Sequence, residues 1–409
     1  MNAQPVTKPV ILYFGNDWAA ENRTSSHHIA RWLARTHRVF YIECPGLRAP
    51  KGSGRDLKKI GAKVLRFFRG PRATPEGLEV WTMLQIPLHR FRFVRRLNRV
   101  LMLAALRWLI WSRRIRNPIT WFMLPHLSSV IGRLGEALSV YYCIDDYAAL
   151  PDVNEAAVRA MDEETTRKAD LVFIASETLL AAKLKLNPNT YVSPHGVDLH
   201  HFARAWDGRA VPPADLLALP HPTIGFFGLI EKWIDLDLLD YLATQRPDWS
   251  FVMIGRVAVG QGELPKRANI HFLGVRPYDV LPDCGSQFDV AIYPARLNNM
   301  TLNANPLKLR EYLAMGKPIV SVATPQVEKY ADVVRIARSR EEFLAQLDAA
   351  IGERSSSSEL QRRVARVAPE SWDARLRLVL DRVNHRLQSP AMALTETQKQ
   401  VARFSTSNA

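Results

Sequence analysis

The chain of 409 residues is poor in cysteine, in long apolar runs and, over one long stretch, in acids. Its three cysteines, Cys44, Cys143 and Cys284, are odd in number, far apart and set in apolar surroundings. That spacing argues against a disulfide framework or a zinc site, so no metal is expected and a reducing cytoplasm is. The opening "MNAQPVTKPVILYFGNDW" runs straight into a strand pattern and lacks the apolar core of a signal peptide. In the most basic region the central apolar run is about a dozen residues, broken by Arg107, well short of the roughly 20 that span a bilayer. The composition, 47% apolar, is that of a globular protein long enough for two domains.

The shortage of acids is local. Between Arg48 and Arg116 stand 18 lysines and arginines against three acids, Asp56, Glu76 and Glu79. This stretch carries the whole net charge of +15, and the remainder balances to zero. Such a patch implies an anionic partner, nucleic acid or an acidic membrane. Within it, "FRFVRRLNRVLMLAALRWLIWSRRIR" reads as a helix. At about 100° per residue, Arg92, Arg95, Arg96, Arg99 and Arg107 share a sector with Leu103, Leu106 and Ile110. Long basic side chains around aliphatic ones suit a helix lying in a lipid surface, and a core helix with a solvated edge gives the same pattern. No nucleic-acid reading motif accompanies the charge, so the expected partner is an anionic membrane surface and not nucleic acid.

Along the chain, apolar runs at 9–15, 38–43, 119–124, 139–145, 171–175 and 190–194 alternate with helical patterns such as "SSHHIARWLART". The rhythm restarts after "DGRAVPPADLLALPHP" (207–222), which reads as a linker, with "TIGFFG", "SFVMIG", "IHFLG", "DVAIYPA" and "PIVSVA". Alternation of this kind predicts an α/β fold of two tandem doubly wound parallel sheets, with ligands at the carboxyl ends of the strands. The expected domains are 1–206 and 207–369, with a helix at 370–390 crossing back and a flexible tail at 391–409.

"NANPLKLREYLAMGKPIV" (303–320) predicts a helix with both ends written in. Asn305 can cap its start, Pro306 suits the first position, Gly316 permits a left-handed exit and Pro318 stops it. Lys308 in the first turn opposes the helix dipole unless an anion sits in front of it. From the helix alone, a solvated surface lysine reads as well as an anion ligand.

These parts together resemble the GT-B glycosyltransferases, more narrowly bacterial lipid-linked polysaccharide enzymes of the glucuronosyltransferase and teichuronic-acid type. The resemblance covers nearly the full length and rests on "FGNDW…SSHHIARWLA", "YYCIDDYAAL", "EETTRKADLVFIAS", "SPHGVDLHHF", "FFGLIEKWID" and above all "DVAIYPARLNNMTLNANPLKLREYLAMGKPIVS". It implies a nucleotide-sugar donor, a UDP-sugar by expectation, bound by the second domain. Lys308 and the helix end would meet the diphosphate, Glu311 the ribose, and Tyr293 the nucleotide. Asn298 lies in the loop "ARLNNMTLN" that would close around the pyrophosphate and sugar, Asn305 at the start of the helix counts with the donor site, and Gly228 and Lys232 follow the first strand of that domain. It further implies a lipid-diphosphate-linked glycan acceptor, no metal or other cofactor, and a peripheral site on the inner face of the cell membrane. The acceptor side falls on Asp17, Arg23 and His27, with His28 beside it.

Two departures from the broader pattern stand out. Asn303 occupies the place, eight residues before Glu311, where many retaining enzymes have glutamate, and Leu229 stands where arginine is usual. They favour inversion, with Asp146 of "YYCIDDY" as the base that deprotonates the acceptor hydroxyl. A helix cap for "YAALPDVNE" is the plain alternative for Asp146. A retaining transferase of the same fold and a non-catalytic scaffold on membrane or nucleic acid are the rival readings of the whole.

Overall fold

The computed structural model describes residues 8–20, 23–44, 61, 64–84, 92–150, 153–354 and 356–388. The chain divides into two compact units. The first takes residues 1–20, 24–194 and 376–409, and the second takes 21–23 and 195–375.

The first unit is built on an eight-stranded sheet. Its strands are β1 (Val10–Gly15), β2 (Arg38–Glu43), β3 (Arg72–Ala73), β4 (Glu79–Thr82), β5 (Ile119–Phe122), β6 (Leu138–Cys143), β7 (Leu171–Ile174) and β8 (Thr190–Val192). The order is β3-β4-β2-β1-β5-β6-β7-β8. All neighbours pair in parallel except β3 with β4. Strands such as "VILYFG" and "LSVYYC" are buried almost end to end, as a sheet covered on both faces requires.

The second unit holds β9 (Thr223–Phe227), β10 (Ser250–Ile254), β11 (Ile270–Gly274), β12 (Val290–Tyr293), β13 (Ile319–Val322) and β14 (Arg335–Ala337). These run in the order β11-β10-β9-β12-β13-β14, all parallel. The order reverses between β9 and β12, and at such a switch point the connections leave in opposite directions and open a crevice at the carboxyl ends.

Two expectations need correction. The chain joins the second unit at His195, before the 207–222 stretch. That stretch is no free linker, because it packs on the second unit. Phe202 and Leu216 lie in the unit's core, Trp206 Nε1 donates to the Ala314 carbonyl at 3.0 Å, and the Val211 N–H donates to Asp283 at 3.1 Å. The last helix, Trp372–Gln388, starts in the second unit and from Leu376 counts with the first. The tail 391–409 lies outside the described residues.

The basic helix Arg92–Ser112 forms, but the face expected at the membrane is turned inward. Leu103 is 7% exposed, Leu106 is fully buried, and Ile110 packs against the same core. Arg96 and Arg107 are exposed and Arg99 is half-buried, while the side chains of Arg92 and Arg95 lie outside the described residues. The helix has 21 residues, yet none among the described residues is long and apolar enough to cross a membrane.

Candidate active site

The crevice end of the second sheet gathers most of the residues expected there. Gly228 directly follows β9 and Tyr293 ends β12, so the two flank the switch point. Gly228 has φ +155° and Gly255, after β10, has φ +141°, a region that side chains rarely adopt. A Cβ on Gly255 would stand 1.8 Å from the Gly228 carbonyl oxygen. Both positions therefore demand glycine. Gly255 drew no notice in the sequence, although "GFFG" and "FVMIG" end their strands alike.

The helix Leu307–Ala314 enters this region with Pro306 at its cap, Met315 at its end and Gly316 in the left-handed exit at φ +66°. It is anchored from inside, where Tyr312 Oη accepts from the Phe227 N–H at 3.0 Å. The Lys308 ammonium sits 5.1 Å from the Phe227 ring centroid, and its Cε is 3.6 Å from where a Gly228 Cβ would be. Glu311 has a side chain only 2% exposed, and its Oε2 lies 3.0 Å from the Lys308 ammonium. The lysine is not aimed for a hydrogen bond, so among the described residues that buried oxygen lacks a hydrogen-bond partner. The carboxylate is thus charge-paired and still has acceptor capacity that a ligand hydroxyl could fill. The helix start has no side-chain cap, so its N–H groups remain for an anion.

Other expected donor-side residues are differently employed. Asn305 does not cap the helix. It is buried, its Oδ1 accepts from Arg310 at 2.5 Å and its Nδ2 donates to Gln326 at 3.5 Å. Arg310 in turn holds Glu370 at 2.7 Å, so this cluster braces the helix from behind. Asn298 caps the short helix Asn299–Asn303 by accepting from the Thr301 N–H at 3.0 Å. Lys232 is exposed, and its N–H donates to the buried Glu231 at 3.1 Å.

In the first unit Asp145 and Asp146 follow β6 at its carboxyl end. Asp146 precedes the turn Tyr147–Ala149, and its carbonyl, not its side chain, takes the Ala149 N–H at 3.0 Å. Burial, with a contribution from the neighbouring Asp146 charge, pushes the Asp145 carboxyl up to about 7. His27 is buried with both ring nitrogens engaged. Nδ1 accepts from the Thr24 N–H at 3.1 Å, which leaves Nε2 to donate to the Asp17 carbonyl at 3.1 Å. It therefore braces its own loop, which corrects the expectation that it meets an acceptor. Asp17 is exposed and takes the Ala19 N–H at 3.0 Å. Arg23 counts with the second unit, where it pairs with Asp279 at 3.1 Å and lies over the Tyr278 ring. Among the described residues, no three His, Cys, Asp or Glu side chains gather as a metal site would need.

Two sheets, parallel apart from the β3–β4 edge pair, have the plan of a GT-B fold. Solved GT-B structures superpose on it: sucrose-phosphate synthase from Thermosynechococcus elongatus has a TM-score of 0.66 and 12% identity, covering 94% of this chain and 100% of its own. HepE from Anabaena, in complex with UDP, has a TM-score of 0.62 and 12% identity, covering 92% and 100%. Residues 221–351 match the family model "Glycosyl transferases group 1", so the second unit carries a group 1 domain and the chain is a glycosyltransferase. TuaH of Bacillus subtilis (strain 168), named as a teichuronic acid biosynthesis glycosyltransferase, is 22% identical over 393 residues, 89% of this chain and 94% of its own.

Proposed function

We propose that the protein moves a sugar from a UDP-sugar to a lipid-diphosphate-linked glycan, with inversion, at the cytoplasmic face of a membrane. The observation that carries the donor half is the Lys308–Glu311 pair at the crevice of the second sheet, 3.0 Å apart, with a buried oxygen still wanting a donor. Lys308 and the helix N–H groups would take the diphosphate, and Glu311 the ribose hydroxyls. Leaving-group charge is then neutralised by these groups, and turnover is expected to survive EDTA. Complexes of fold relatives with UDP support the choice of base. The glycan acceptor rests on the likeness to TuaH, and its lipid link on the basic stretch of the first unit.

Asp146 is the proposed base. It follows β6 at the carboxyl edge of the first sheet, where a doubly wound domain meets its ligand. Asn303 in place of glutamate removes the sugar contact usual in retaining enzymes and favours inversion. The test is a panel of nucleotide-sugars offered with a lipid-diphosphate glycan, the product's anomeric configuration being read by NMR. Transfer from a UDP-sugar with inverted configuration supports the reading, and a retained configuration overturns the inverting step. Absence of transfer from every UDP-sugar overturns the donor.

A further inference from the structure

The helix Arg92–Ser112 has two apolar faces, and the one left outside is unlike an ordinary surface. Phe93 is 73% exposed, Val100 55%, Trp108 54% and Trp111 77%. At about 100° per residue these side chains fall on one stripe, with Ala104 between them. The stripe is anchored to the core behind it: Trp108 is 6.2 Å from the buried Trp81, which stacks on the half-buried Phe67 at 5.6 Å, and Phe67 abuts the separately exposed Phe68 at 5.3 Å. Scattered single apolar residues are normal on a surface, whereas a continuous aromatic stripe marks a contact.

Where the helix ends, Arg107, Arg114, Arg116 and Arg133 line a hollow together with Trp111 and Leu134, and no acid lines it. Among the described residues none of these four arginines pairs with a carboxylate, in contrast to Arg113, which is 3.4 Å from Glu79. Glu136 nearby is occupied by the Gly132 and Leu134 N–H groups at 2.5 and 2.9 Å. Arg114 and Asn117 sit at φ +52° and +47°; asparagine tolerates that region, whereas Arg114 holds it at a cost.

We propose that this stripe and hollow are the surface by which the first unit docks on a bilayer of anionic phospholipid, the stripe entering among the acyl chains and the arginines taking headgroup phosphates. The inference rests on the membrane-peripheral reading above and replaces the face that the sequence had indicated. Aromatic side chains that protrude from a helix and are rimmed by arginine suit the interface, where one end of each is apolar and the other wet. Duplex DNA would meet the arginines but leave Phe93, Trp108 and Trp111 without an apolar partner.

The test is co-sedimentation with phosphatidylglycerol vesicles, phosphatidylcholine vesicles and duplex DNA, at low and physiological salt. Wild type is expected to bind phosphatidylglycerol strongly at low salt and to keep part of that binding at physiological salt. Arg114→Gln, Arg116→Gln and Arg133→Gln together should weaken it about a hundredfold at low salt, since each basic group near such a surface is worth about fivefold. Phe93→Ala, Trp108→Ala and Trp111→Ala together should abolish the part that salt leaves. In both variants the melting temperature should match wild type, which certifies the fold of the first unit, and UDP titration should match it too, which separates loss of docking from loss of the donor site. Unchanged vesicle binding in both variants overturns the proposal, as does wild type that ignores phosphatidylglycerol and binds DNA at physiological salt.

Discussion

Asp145 and Asp146 are neighbours with different surroundings, and each has its own measurable consequence. Burial, with the Asp146 charge behind it, raises the Asp145 carboxyl from 3.8 to about 7. In that interval the folded chain keeps a proton that the unfolded chain has lost, so stability falls as pH rises from about 4 to 7. Asp145→Asn removes the titration. It should melt higher than wild type at pH 8 and close to it at pH 4, by scanning calorimetry; equal gaps at both pH values would refute the assignment. Asp146→Asn keeps the shape and removes the proposed base. Turnover should drop at least about a hundredfold while UDP affinity stays within about twofold. If Asp145→Asn is the variant that silences the enzyme, the two roles are exchanged. At this scale the sequence singled out Lys308 and Glu311, and the fold brings the two side chains 3.0 Å apart, their part in holding a donor being the proposal. It was misleading for Asn305 and His27, because polar residues that serve a fold's own loops carry the same letters as those that serve a ligand.

The helix Arg92–Ser112 and the helix Leu307–Ala314 mark the limits of periodicity. The second announces itself through local signals, a proline at its entry and Gly316 at its exit, and these do not depend on what packs against it. The first has apolar residues on two sides. Val94, Met102, Leu106 and Leu109 go to the core, and Phe93, Val100, Trp108 and Trp111 to the surface. A 3.6-residue period finds both stripes and cannot rank them. The ranking follows from tertiary packing, which places Met102, Leu106 and Leu109 in one buried core with Phe40, Trp81 and Phe122. Leu106→Ala should therefore cost about 2–5 kcal/mol of stability in denaturant unfolding, whereas Trp111→Ala should stay within about 0.5. The reverse order would return the helix to the orientation read from its arginines.

For the whole molecule, the two-sheet plan was readable because each long strand is a nearly continuous apolar run between helical patterns. The strands that escaped notice are β3, β4 and β14, of two to four residues. Two of them are sheet edges, where pairing on one side needs little apolar sequence, and β4 is hidden inside the basic stretch. The 207–222 segment looked like a linker from its prolines, yet Leu216 binds it into the second core. The central claim is that the second unit holds a UDP-sugar through Lys308 at the start of the helix Leu307–Ala314. Isothermal titration of UDP into wild type and Lys308→Ala tests it most directly. A saturable heat in wild type, weakened ten- to about a hundredfold in a variant with an unchanged melting temperature, is the predicted result, as one charge-assisted contact is worth about 1.5–3 kcal/mol. No saturable heat in wild type, or equal affinity in the two proteins, would contradict it.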